Sequence, residues 1–264
     1  SADTHDNLLF FTDRGRVFQT KAYEIPAGNR TAKGKSIHNF LTLPQSENIT
    51  SLIASARKNK SAFLVMATKN GLIKKTPLSD FENVRRSGII ALRLKSNDEL
   101  KWVKLSTGDD QIILVTSLGQ AVRFKEKDIK SMGRTATGVK GIRLTKDDTV
   151  AGLDIIKGGT KEVDNSRLLV ITSNGFAKQT PLKEYKIQKR GGSGIKTAKT
   201  NEKTGKVMGV QIITDEAATV LAFSSKGQAL RTELKNIRIA GRATQGVKIM
   251  NLEKGDSLIG ITCL

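Results

Sequence analysis

Cations spaced by glycine are the residues of this 264-residue chain best suited to chemistry. The segment Gln188-Lys189-Arg190-Gly191-Gly192-Ser193-Gly194-Ile195-Lys196 places Gly191, Gly192 and Gly194 among Lys189, Arg190 and Lys196. Glycines let a backbone come close to a phosphate, and the cations neutralise it. Comparable loops offer Arg30, Lys33 and Lys35; Arg85 and Arg86; Arg134, Lys140 and Arg143; and Arg242 and Lys248. A second row comprises Lys74, Lys75, Arg123 with Lys125, Lys178 and Arg231. Any one of these alone reads as a solvated surface cation. A regular recurrence would instead display them at equivalent points of repeated units.

Other chemistries find little support. The single cysteine, Cys263, cannot form an intrachain disulfide, and with only His5 and His38 beside it no zinc site of Cys/His type can be assembled, so no metal and no cofactor is expected. Asp109-Asp110 and Asp147-Asp148 are paired acids, expected as solvated turn residues. Gly28 to Ser36 looks like a phosphate-binding P-loop, but five residues separate Gly28 from Gly34 where that motif needs four. The excess of 45 Lys and Arg over 25 Asp and Glu, a net charge of +20, points to a polyanion. Aromatic residues at 5% leave few rings for stacking on single-stranded bases. No apolar run is long enough to cross a bilayer and Ser1 to Asn7 is polar, so a soluble, cytoplasmic protein is expected.

The elements that must position the cations form a repeat. Leu8 to Thr20, Leu64 to Thr76, Ile112 to Phe124, Leu168 to Thr180 and Val220 to Thr232 each read as an apolar strand, a turn with glycine and a second strand. Asn70-Gly71 and Asn174-Gly175 predict type I′ turns. Fifteen residues beyond the turn glycines stand Arg30, Arg86, Arg134, Arg190 and Arg242. Strand-like segments such as Ile89 to Leu94, Val139 to Leu144 and Val247 to Leu252 follow, then a polar turn and a further strand. Four short strands in about 50 residues is the pattern of a propeller-type blade. The expectation is an all-β domain over 1–264, with repeats at 7–56, 61–106, 110–158, 166–214 and 217–264. Arg57 to Lys60 and Lys157 to Asn165 read as exposed connectors. Without recognition helices, the basic belt suits the backbone of duplex DNA bent along an edge.

The residues resemble a known family, the C-terminal DNA-wrapping domains of DNA gyrase A subunits. Arg14-Gly15-Arg16-Val17, Lys74-Lys75-Thr76 and Val122-Arg123-Phe124-Lys125 carry the likeness, most specifically with Met132 to Leu144 (MGRTATGVKGIRL) and Gly241 to Val247 (GRATQGV). The resemblance implies a β-pinwheel, a propeller-like disc whose four-stranded blades exchange strands. It also implies chiral wrapping of double-stranded DNA in support of negative supercoiling. The partners implied are an upstream breakage-reunion domain of the same polypeptide, which holds the catalytic tyrosine, and a separate ATPase subunit. The domain itself is expected to be non-catalytic and monomeric; Tyr23 and Tyr185 match no nucleophile motif. The family's signature box, glutamine-arginine-arginine-glycine-glycine-lysine-glycine, normally lies in its first repeat. Its nearest match here is Gln188 to Gly194, with Lys189 and Ser193 replacing arginine and lysine, so the box-bearing repeat is expected to be missing. A topoisomerase IV-type domain and a propeller-like protein-interaction scaffold are the alternatives.

Overall fold

The computed structural model describes residues 2–29, 33–55, 62–158, 163, 165–214 and 219–263. Its contacts divide the chain into two compact units, 1–108 with 129–139, and 109–128 with 140–264. Short strands dominate, joined by 3-10 helices of three or four residues such as Leu78–Phe81 and Leu182–Glu184. No helix among the described residues is long and apolar enough to cross a membrane.

The first unit contains β1 (Asn7–Thr12), β2 (Arg16–Lys21), β3 (Ile49–Ser55), β4 (Phe63–Thr68), β5 (Leu72–Pro77), β6 (Ile89–Ile90) and β7 (Leu100–Ser106). The second contains β8 (Gln111–Thr116), β9 (Gln120–Lys125), β11 (Val150–Ile156), β12 (Arg167–Thr172), β13 (Phe176–Pro181), β14 (Ile195–Lys196), β15 (Val207–Ile213), β16 (Thr219–Ser224), β17 (Ala229–Glu233), β18 (Val247–Lys248) and β19 (Leu258–Cys263); β10 (Val139–Lys140) lies where the units meet in the chain. The sheets run β3-β1-β2-β6, β10-β5-β4-β7, β11-β8-β9-β14, β15-β12-β13-β18 and β17-β16-β19.

Each of the first four sheets therefore takes three strands from its own repeat and a fourth from the next, which is the expected strand exchange. The donated strands are only two residues long, shorter than the sequence pattern predicts. Past Ile90 the chain turns to bury Ala91 and Leu92, so apolar alternation there reflects packing and not continued pairing. Among the described residues the fifth sheet has three strands, not four, and β17 is its uncovered edge.

Period-two side chains explain why the strands read as unbroken apolar runs: both faces are buried. Leu9 and Phe11 pack with Leu64, Met66 and Phe81, whereas Leu8 and Phe10 pack with Phe18, Leu41 and Leu43. In the second unit Leu168 and Val170 join the cluster of Ile113, Val115 and Tyr185, and Leu169 and Ile171 join Val220, Ala222 and Leu258.

The hairpin turns differ from the expected type I′. Neither Asn70 nor Asn174 has positive φ; the left-handed residue is the glycine alone. In every copy the glycine amide bonds back three residues, to the carbonyl of Thr12, Thr68, Thr116, Thr172 or Ser224. This is a type I turn closed by a left-handed glycine. In four copies the Thr or Ser hydroxyl also accepts the amide of the residue after the glycine. An aspartate latches several turns: Asp148 Oδ1 accepts from Ser117 Oγ and from the amides of Leu118 and Thr149. Asp148 and Asp110 are thus buried structural acids, contrary to the solvated role expected of them.

Two of the turn glycines provide a test. Gly175 and Gly227 have φ of +82° and +85°, but a Cβ at Gly175 would lie 2.4 Å from the Met250 carbonyl oxygen, whereas one at Gly227 meets nothing within 4 Å. Gly227→Ala is expected to cost about 1 kcal/mol, the left-handed penalty alone. Gly175→Ala should cost roughly 2–4 kcal/mol, because backbone must also move. Urea unfolding of the two variants measures the difference; equal losses would contradict the close approach.

Candidate nucleic-acid interface

The basic loops lie where one repeat passes its short strand to the preceding sheet. Met132 N bonds to Lys75 O, Gln188 N to Arg123 O, and Ala240 N to Gln179 O, so each loop runs along the second hairpin strand before it. The chain then enters the two-residue strand, whose last residue is exposed: Ile90, Lys140, Lys196 and Lys248. Three residues later comes a further exposed cation in three copies: Arg93, Arg143 and Lys199. Their amides bond to Ala136 O, Gly192 O and Thr244 O, each two residues past Arg134, Arg190 and Arg242. Cation-bearing backbone segments of successive repeats therefore meet at a recurring seam.

Arg93 and Lys199 were not singled out from sequence, although Arg143 was. Their common offset from the two-residue strands is the signal that could have found them. Lys33, Lys35, Arg85, Arg86, Lys125, Lys140, Arg143, Lys189, Lys196, Arg231 and Lys248 are exposed; Gln188, Arg134, Arg190 and Arg242 are half-buried. Arg30 lies outside the described residues, as do Arg57 to Lys60 and part of Lys157 to Asn165. An open groove in the first unit is lined by Arg16, Gly88, Ile89, Ile90, Arg134 and Thr135. Arg16 is already neutralised there by Glu47 at 2.7 Å.

Four residues of the expected second row need correction. Lys74, Lys75, Arg123 and Lys178 are 0%, 6%, 6% and 2% exposed, and are not presented to a phosphate. The Lys74 ammonium donates to the carbonyls of Ala91 at 2.5 Å, Gly133 at 3.1 Å and Arg134 at 2.6 Å. Lys178 donates to Gly241 O, Arg242 O and Thr244 Oγ1. Arg123 donates to Leu182 O and Tyr185 O, both at 2.9 Å, and Lys75 Nζ sits 4.9 Å from the Phe63 ring centre. Orphan carbonyls in irregular backbone must find donors when buried, and Lys74, Arg123 and Lys178 supply them.

The glycines of the box-like segment are also committed. Gly191 N donates to Gly141 O at 2.6 Å, and Gly192 O accepts from Arg143 N at 2.8 Å. Gly194, at φ +76°, stands against the Ala121 backbone. Their close approach is to a neighbouring repeat's backbone. Arg190 is steadied by its own side chain, through Nε to Asp128 O and Nη1 to Lys140 O. Tyr185 is buried, and burial pushes its hydroxyl up to about 12, a poor setting for a nucleophile.

Burial pulls Lys74 and Lys178 down to about 8, reinforced by Arg134 and Arg242 and opposed by Asp80 and Glu184 respectively. Because the folded value lies below the unfolded one, the unfolded chain binds more protons between about pH 8 and 10.5, and stability rises with pH across that window. The stability of the wild type relative to Lys74→Met should therefore increase between pH 7 and 10. Urea unfolding at both pH values checks this; a flat or falling difference would contradict it.

Comparison with known proteins places this geometry in context. The profile of the family described as "DNA gyrase C-terminal domain, beta-propeller" matches residues 6–54, 62–106, 110–157, 166–214 and 218–264. The gyrase A protein of Mycobacterium bovis is 41% identical over 260 residues, covering 98% of this chain and 30% of that protein. The gyrase A protein of Staphylococcus epidermidis is 40% identical over 253 residues, covering 96% of this chain and 28% of its own length. The chain thus spans less than a third of these relatives. A solved DNA gyrase A C-terminal domain superposes with a TM-score of 0.83 at 25% identity, covering 99% of this chain and 83% of that one. A DNA topoisomerase IV C-terminal domain gives 0.87 at 24% identity, covering 99% and 80%, a likeness of fold.

Proposed function

We propose, because this chain belongs to the DNA gyrase C-terminal domain family, that it bends and wraps duplex DNA along its basic seams without itself being catalytic. The observation that carries this reading is the recurrence of Arg93, Arg143 and Lys199 bonded to the loops of Arg134, Arg190 and Arg242. A repeated pair of cations suits a repeated phosphate, and base sequence plays no part in such contacts. Successive backbone contacts offset the elastic cost of bending.

In this reading the module serves negative supercoiling by a bacterial gyrase in the cytoplasm. DNA cleavage would belong to an upstream breakage-reunion domain and ATP use to a partner subunit. Identity of about 40% to gyrase A proteins favours gyrase over a topoisomerase IV-type role.

If about ten phosphates are contacted, log K should fall with log salt at a slope near −9. Lys140→Gln, Lys196→Gln and Lys248→Gln together should flatten that slope by about 3 while leaving the melting transition unchanged. Fluorescence anisotropy from low to high salt on long and short duplexes reads both quantities. Equal affinity for short and long duplexes would contradict wrapping, and an unchanged slope in the triple variant would contradict the seam. Ligation of nicked plasmid with the protein bound should yield topoisomers with a handed shift.

A further inference from the structure

Lys74 and Lys178 are the buried cations whose ammonium groups reach the loops bearing Arg134 and Arg242. An ammonium has three N–H donors and no acceptor. Lys74 meets three carbonyls, of Ala91, Gly133 and Arg134, and Lys178 meets two carbonyls and a hydroxyl, of Gly241, Arg242 and Thr244. The match of donors to acceptors is complete at both positions.

The acceptors belong to the seam. Ala91 is two residues before Arg93, and Gly133 and Arg134 lie on the opposing loop, so one ammonium ties both cation-bearing segments together. Thr244, which accepts from Lys178 through its hydroxyl, also accepts the Lys199 amide through its carbonyl. Bonding the carbonyls of Arg134 and Arg242 themselves restricts the backbone from which each guanidinium projects.

Other seams reach the same end differently. Arg16 donates to Ser87 O beside Arg86, and Arg190 braces its own loop. At the hairpin position of Lys74 and Lys178, three residues after the turn glycine, the other repeats have Phe18, Val122 and Leu230. The hairpin therefore does not need lysine there, and an apolar residue is compatible with it.

We infer that Lys74 and Lys178 are positioning residues for DNA binding: buried clamps that preorganise the Arg93–Arg134 and Lys199–Arg242 seams and touch no phosphate. This role rests on the DNA-binding reading above. Preorganisation raises affinity by ordering the loops before binding, without adding a contact.

The test uses the 264-residue protein and its Lys74→Met, Lys178→Met and double variants, with long duplex DNA as the probe. Amide hydrogen exchange should quicken at 132–137 in the first variant and at 241–246 in the second, while 189–193 stays unchanged as an internal control. Duplex affinity of the double variant should fall roughly tenfold, with the slope of log K against log salt preserved. A slope flattened by about 0.9 per substitution would overturn the inference by making these lysines direct phosphate ligands. Unchanged affinity, even with a lowered melting temperature, would also overturn it, because the lysines would then be structural only. Lys74→Gln and Lys178→Gln, which retain two donors each, should give intermediate exchange rates and affinity and serve in place of a poorly folding methionine variant. Absence of salt-dependent duplex binding by the wild type would instead overturn the DNA reading and this role with it.

Discussion

Hydrogen bonds made by each repeat to the second hairpin strand of the repeat before it are the constraint from which the rest of the structure follows. The donated strand contributes only two residues to each of the first four sheets. In three of these sheets the preceding loop runs alongside the same hairpin strand and supports so short a ladder, and in the first the chain beyond it buries Ala91 and Leu92. Irregular backbone is thereby forced into a packed environment, and its carbonyls need donors that no regular ladder provides.

Cations answer that need, which is why basic residues in this chain divide into two populations. One projects outward from short strands and loops, as Lys140, Lys196 and Lys199 do. The other turns inward, where Lys74, Arg123 and Lys178 satisfy the loop carbonyls. Desolvation disfavours the buried charges, but leaving several carbonyls unpaired would also be costly. Gln179 shows that a neutral amide can do similar work, donating to Leu234 O and Ile237 O from the position after Lys178.

The repeat and the basic loops were legible in the sequence, because glycine and arginine recur at a spacing that survives changes in the residues between them, whereas the strand exchange was implied only by the family resemblance. The turn type was not, since Asn-Gly suits both a type I′ turn and a type I turn ending in a left-handed glycine. The Thr or Ser three residues before each glycine distinguishes them once its hydroxyl contact is known. The inward direction of Lys74 and Lys178 was hidden for a different reason. Whether a lysine is buried depends on acceptors about 60 residues further along the chain, at Gly133 and Gly241, and local pattern contains no information about them. Arg93 and Lys199 did not stand out in the sequence because what distinguishes them is a backbone bond to the next repeat.

The fifth sheet ends at β17 with no further strand beside it among the described residues. A bare strand edge invites pairing with the same edge of another molecule, the first step toward a fibre. Exposed Arg231 and Glu233 sit on this five-residue strand, with Lys235 just beyond it. Two such edges could join only by bringing hydrated charges together along a very short ladder. The ionic character of β17 therefore disfavours edge-to-edge pairing through the sheet that has three strands among the described residues.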